Sequence, residues 1–394
     1  MSMPLALTQI GHNSFPFKQY VVKKIVFAFL MSIICATAIS QEENFQLIGN
    51  IKGIDTGTIK LNPWLIGTSK GTFTSQIKQG KFILKGKISH PLKVFVIVNG
   101  SYYSDDFFIE PGDQKIYLDG TTKKTFSESI KVTGSKVNDE YNNDYLKSLQ
   151  PFYDDLYRCY DVLDSLNKIF VDERPVSAFI GPCKNFNQAI KNLNSAKKVF
   201  ILRHPSSYVS LWCLYNNSAL DDLEFIAESF KYLSIDLQNS FAGKQLAHRL
   251  EVQKAFLNET IFPTMLLVDS NEKKVTTPEI INKKYTLVDF WFSHCGPCIA
   301  QFPMMRNLYS KYKNAGFDVV GISIDKTTDK RAWLDAISKH KLEWKQYWDI
   351  DEKEAKRFFI NTYPTNLLLD SEGRIIKKNI LLEELGIFLE TNLQ

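Results

Sequence analysis

The sequence lacks an apolar run long enough to cross a bilayer: the stretch from Ile25 to Ile39 is shorter than the roughly 20 apolar residues a spanning helix needs. It also lacks a strong charge of either sign. The formal net charge is +5, and it drops to +2 when the first 40 residues, which hold Lys18, Lys23 and Lys24 and no acid, are set aside. A nearly neutral remainder offers no electrostatic footing for nucleic acid. His204 and His248 have no partners at metal-ligand spacing and read as surface or satisfied polar residues. A metal site built from His294, Cys295 and Cys298 lacks a fourth ligand, so neither a metal nor another cofactor is expected. Gly67-Thr68-Ser69-Lys70 lacks the spaced glycine and the following helix of a phosphate loop. No internal repeat or low-complexity run is present.

What the first 40 residues do contain is an export pattern. Lys23-Lys24 precede the apolar core Ile25 to Ile34, and Ala38-Ile39-Ser40 places small residues before a cut at Gln41. Residues 1–21 are long for the segment ahead of such a core, so Val22 is the expected translation start. Lipid attachment at Cys35 is the rival reading, but bulky Ile34 stands where a small residue is required. The mature protein is expected in the periplasm or cell envelope.

The remainder, at 44% hydrophobic and 23% charged overall, is ordinary globular material. Residues 41–136 read as β structure. The lysines at 81, 85 and 87 share one face, and Phe82, Leu84 and Ile88 share the other. Further strands are expected at Leu92 to Val98, Phe107 to Glu110 and Gln114 to Leu118, as a small antiparallel sandwich. Residues 137–260 turn helical, with Tyr145, Leu149, Phe152 and Leu156 at helical spacing, as are Leu223, Ile226, Phe230 and Leu233. Pro175, Pro182 and Pro205 are expected to break this segment, which reads as a helical spacer. Cys159, Cys183 and Cys213 lie within it, either as small buried apolar residues or with two of them in one extra disulfide.

Residues 261–394 are organised around Trp291-Phe292-Ser293-His294-Cys295-Gly296-Pro297-Cys298. An apolar run, Tyr285 to Phe290, reads as a buried strand just before it. Phe302, Met305, Leu308, Tyr309 and Tyr312 follow it at helical spacing. Cys295 therefore sits at a helix start, where unpaired N–H groups and the macrodipole favour a thiolate. Gly296 and Pro297 leave room for the turn and pre-set φ, holding Cys298 close. Asp289 falls inside the strand, where an unpaired carboxylate is costly to bury. Pro303 lies within the helix and should kink it. Tyr363-Pro364-Thr365 precedes another apolar run, Asn366 to Leu369.

These positions resemble the thioredoxin superfamily, and more closely its extracytoplasmic TlpA/ResA-like thiol-disulfide oxidoreductases. The resemblance implies an α/β thioredoxin-like fold and a redox dithiol, with an exposed Cys295 attacking and Cys298 resolving. It further implies a buried acid at Asp289, a helix-kinking Pro303, and a cis Pro364 that leaves the Tyr363 backbone free for an extended substrate. Implied partners are protein thiols and disulfides, such as haem-binding cysteines of apocytochromes c, and a membrane electron donor. The chain departs from that pattern at His294, Ile299, Gln301 and Asp325-Lys326. Position 294 is commonly Trp in the family, whereas an imidazole beside Cys295 can carry charge and stabilise its thiolate. Two other readings stay open. A peroxidase of the same fold would want Thr or Ser where Phe292 stands, and a cell-envelope binding module would use the redox end as a scaffold.

Overall fold

The computed structural model describes residues 43–63, 73–121, 130–169, 176–216 and 220–393. The export segment with Cys35, the stretch Gly67 to Lys70, and Pro175 lie outside the described residues. Among the described residues no helix is long and apolar enough to cross a membrane.

The first unit is a sheet. Strands β1 (Phe45–Lys52), β2 (Thr56–Pro63), β3 (Phe73–Lys78), β4 (Lys81–Gly86), β5 (Leu92–Val98), β6 (Tyr102–Tyr103), β7 (Phe107–Ile109), β8 (Gly112–Asp119) and β9 (Lys131–Thr133) pair in the order β6-β5-β2-β3-β4-β1-β8-β9, with β7 on β5. The two-residue alternation expected for β4 is present: Phe82 and Leu84 are buried, and Lys81 and Lys85 exposed. Inward side chains, among them Leu47, Leu61, Leu84, Val94 and Leu118, enclose one core. The pairing is not wholly antiparallel as expected, because β1 and β8 run parallel from Phe45↔Gly112 to Lys52↔Asp119. A parallel pair needs a long crossover, and the intervening strands β2–β7 supply it.

Helices follow: α1 (Lys136–Asp139), a π-helical stretch Glu140–Leu146, α2 (Lys147–Ile169), α3 (Val176–Arg203), α4 (Tyr208–Tyr215), α5 (Leu223–Phe230), α6 (Ile235–Asn239) and α7 (Phe241–Gln253). Tyr145, Leu149, Leu223, Ile226 and Leu233 are buried, as their spacing requires. Pro182 does not break the pattern, for it lies inside α3. A proline there forfeits one backbone hydrogen bond at about 3 kcal/mol. Packing of the α2–α3 hairpin through buried Leu163, Phe179 and Cys183 offsets that cost. Cys159, Cys183 and Cys213 are all free thiols.

The third unit is thioredoxin-like. Its strands are β10 (Leu266–Val268), β11 (Lys274–Thr276), β12 (Tyr285–Trp291), β13 (Phe317–Ser323), β14 (Lys345–Trp348), β15 (Thr365–Asp370) and β16 (Ile375–Lys378). They pair in the order β11-β10-β14-β13-β12-β15-β16, with β14, β13 and β12 parallel. The helices are α8 (Thr277–Ile280), α9 (Gly296–Tyr312), α10 (Lys330–Lys339), α11 (Lys353–Arg357) and α12 (Leu382–Asn392). Every residue of β12 from Thr286 to Trp291 is buried, as a central strand covered on both faces must be. Leu287 and Trp291 join the core that holds Cys295, Cys298 and Phe302 of the α9 side. Val288 and Phe290 point the other way, into a core shared with Leu223, Ile226 and Leu246 of the helical segment and with Phe108 of the β domain. The helices therefore do more than space two domains, since they form a layer on one face of the thioredoxin-like sheet.

An ion pair with a buried ammonium and a half-exposed carboxylate fastens that layer. The Lys378 ammonium, only 3% exposed, donates to both carboxylate oxygens of Glu224 on α5, at 2.7 and 2.8 Å. Glu224→Ala would leave a buried ammonium unpaired, costing about 1–3 kcal/mol. Lys378→Met should cost less, because the remaining Glu224 is half exposed and can be hydrated. Urea unfolding of both variants checks the order, and a smaller loss for Glu224→Ala would refute it.

Candidate active site

The dithiol is built at the junction of β12 and α9. Cys295 caps α9, its sulfur accepting from the Cys298 N–H at 3.2 Å, and its own N–H donates to the Phe292 carbonyl at 3.0 Å. Cys295 and Cys298 are joined as a disulfide, with Cα atoms 5.3 Å apart. Gly296 and Pro297 open the helix and are exposed, as is His294. Pro303 lies inside α9 as expected. Cys295 itself is not exposed: it is 3% accessible. Its sulfur is bonded inward to buried Cys298, and both belong to the core under α9.

The Tyr363–Pro364 peptide is cis. The Tyr363 ring meets Phe292 edge-on at 5.8 Å, and its hydroxyl donates to the Ile360 carbonyl at 2.8 Å. Burial raises that phenol's pKa above its ordinary value, so it stays a donor. Phe292, directly ahead of the active-site loop, thus touches the residue before Pro364.

Asp289 is 2% exposed. Strand alternation puts its side chain on the face of Leu287 and Trp291, the face that carries the dithiol core. Its Oδ1 has no hydrogen-bond partner. Desolvation raises its carboxyl from the ordinary 3.8 to about 7.

A second buried acid is Asp325, just beyond β13. Its Oδ2 accepts from the Ser293 N–H at 2.9 Å and the Ser323 hydroxyl at 2.7 Å, and its Oδ1 accepts from the Ser293 hydroxyl at 2.6 Å. The Trp348 indole donates to its carbonyl at 2.6 Å. This clamp fixes the loop two residues before Cys295. Sequence reasoning noted Asp325 only as a departure at a strand end and missed its partners. The available signal was an acid just past a wholly buried strand, which must be either solvated or bonded.

Residues 259–378 match the AhpC/TSA family. That match marks a thioredoxin-like domain at the C-terminal end of the chain. Residues 45–141 match a family described as a domain of unknown function, DUF4369. The AhpC/TSA domain is similar to the thiol-disulfide oxidoreductase ResA of Bacillus cereus, 28% identical over 118 residues, covering 30% of this chain and 66% of that protein. For ResA of Bacillus subtilis (strain 168) the identity is 26% over 115 residues, covering 29% and 63%. The chain thus spans less than two thirds of the length of these curated relatives. A solved thiol-disulfide oxidoreductase from Bacteroides fragilis NCTC 9343 is 33% identical, covers 34% of this chain and 100% of its own, and has a TM-score of 0.31.

The Asp289 carboxyl sets a pH dependence. Between about pH 4 and 7 the folded chain holds a proton that the unfolded chain has released, so stability falls as pH rises through that window. Asp289→Asn removes the penalty. It should raise the unfolding free energy of the oxidised protein by about 2–4 kcal/mol at pH 8 and by little at pH 4. Urea titrations at both pH values measure this, and equal gains at both would exclude Asp289 as the titrating group.

Proposed function

We propose that this chain is a thiol-disulfide oxidoreductase acting on protein thiols and disulfides through Cys295 and Cys298. The observation that carries this reading is the Cys295–Cys298 disulfide at the N-terminus of α9, where the Cys298 N–H donates to the sulfur of Cys295. In the reducing direction the Cys295 thiolate attacks one sulfur of a substrate disulfide. The substrate S–S bond breaks, a mixed disulfide forms, and the other substrate sulfur leaves and takes up a proton. Cys298 gives its proton to Asp289 and attacks the Cys295 sulfur. That step closes the Cys295–Cys298 disulfide and frees the second substrate thiol, so two electrons have passed to the substrate.

The supporting groups have distinct parts. His294, exposed beside Cys295, puts a polar imidazole next to the attacking sulfur. Tyr363 and Pro364, reached through the Phe292 contact, offer the main chain against which an extended substrate lies. The closed disulfide needs a dithiol donor, which we place in the membrane. Substrates of this class in the cell envelope include the haem-binding cysteines of apocytochromes c. The chain divides at 41–136, 137–260 and 261–394, after an export segment at 1–40.

Cys298→Ser should accumulate mixed disulfides through Cys295, and Cys295→Ser far fewer. Asp289→Asn should slow the resolving step at neutral pH and leave the first attack nearly intact. Equal trapping by both cysteine variants would sink the exchange reading, and unchanged resolution would sink the role of Asp289. Export has its own check: N-terminal sequencing of envelope protein should begin at or near Gln41, whereas an intact cytoplasmic chain would refute it.

A further inference from the structure

A cavity of about 490 Å³ lies where the β domain meets the helical layer. None of its lining residues belongs to the redox domain, so it stands apart from the exchange chemistry. Its volume is in the range of small-molecule sites. One wall is the π-helical stretch, a local geometry that costs backbone hydrogen-bond quality and recurs at functional sites. There Tyr141 and Tyr145 stack with ring centroids 5.7 Å apart and 16° between planes. Tyr153 of α2 and Trp212 of α4 add further aromatic surface.

The polar lining joins two amides, Gln150 and Asn216, to cationic and hydroxyl donors. Among the described residues the lining includes two lysines, Lys93 and Lys197, and no carboxylate. Lys93 is buried against the Tyr141 ring at 5.4 Å and paired with Asp106 at 3.0 Å, outside the lining. Lys197, half buried on α3, brings a second positive charge to the wall. Burial pushes the phenols of Tyr141 and Tyr153 up to about 12, keeping them protonated donors. Trp212 is 2% exposed and its indole N–H has no partner. A buried donor without an acceptor costs about 1–3 kcal/mol, which an incoming acceptor would recover.

We propose that this cavity binds a small planar organic anion, an aromatic or conjugated carboxylate, with its ring among Tyr141, Tyr145 and Trp212 and its charge on Lys197 and the Trp212 N–H. Aromatic walls recognise the flat apolar body. A lysine on a wall that holds no carboxylate, together with an unused donor, recognises the anionic end. Naphthalene-carboxylate is a suitable probe, and its neutral carboxamide is the isosteric control.

Titration calorimetry on the full chain should give saturable one-to-one binding of the carboxylate, with the carboxamide at least about tenfold weaker. Lys197→Met and Trp212→Phe should each weaken binding by about tenfold. Lys191→Met, on the exposed side of α3, should leave it unchanged. Lys197 is only half buried, so its variant keeps the test open if Trp212→Phe fails to fold. No saturable binding, equal affinity for the carboxamide, or full affinity in Lys197→Met would each overturn the assignment.

Discussion

Burial of β12 on both faces is the constraint on which the rest of this structure depends. Its edges are used by β13 and β15, and its faces by two separate cores. Each fully buried large side chain contributes about 2 kcal/mol, so Leu287, Val288, Phe290 and Trp291 together hold the strand in one register. A slip by one residue would exchange the two faces and move Asp289 from the dithiol side to the helical side. The strand's end therefore fixes where Ser293 meets Asp325 and where Cys295 caps α9.

The second face explains the middle of the chain. A thioredoxin-like sheet with Val288, Phe290, Val320 and Ile322 facing outward needs a cover, and the helical layer supplies it together with Ala355 and Phe358. Polar contacts fix the arrangement at both borders. Asn138 pairs with both main-chain groups of Phe108 in β7, and Lys378 with Glu224 on the redox side. Because the layer occupies the face away from α9, the exposed rim of His294, Gly296 and Pro297 stays open.

The redox domain was the most legible part of the sequence. A continuous apolar run, the Cys-Gly-Pro-Cys turn and the distant Tyr363-Pro364 are local signals whose meaning does not depend on the rest of the chain. What escaped were outcomes decided by partners far away. Pro182 reads as a helix breaker until the α2–α3 hairpin is assembled around it. The parallel β1–β8 pair joins segments that carry no mark of each other. Cys295 reads as exposed from its helix-start position, yet the bond to Cys298 turns its sulfur inward. The layer role of the helices was hidden because an apolar face on a helix does not say which surface it covers.

Two buried acids flank the dithiol on opposite terms. Asp325 accepts from one backbone N–H and two hydroxyls. Its oxygens are committed, and releasing them would free the loop ahead of Cys295. Asp289 sits on the dithiol face with an oxygen that nothing satisfies, its carboxyl poised at about 7. A group that exchanges protons during turnover must have a lone pair to spare and a pKa near the working pH. A group that positions a loop needs the reverse, a full set of bonds that never changes. The same side-chain type thus stands twice toward the C-terminal end of the parallel β12–β13 pair, once with its oxygens satisfied and once without, and its surroundings set the difference.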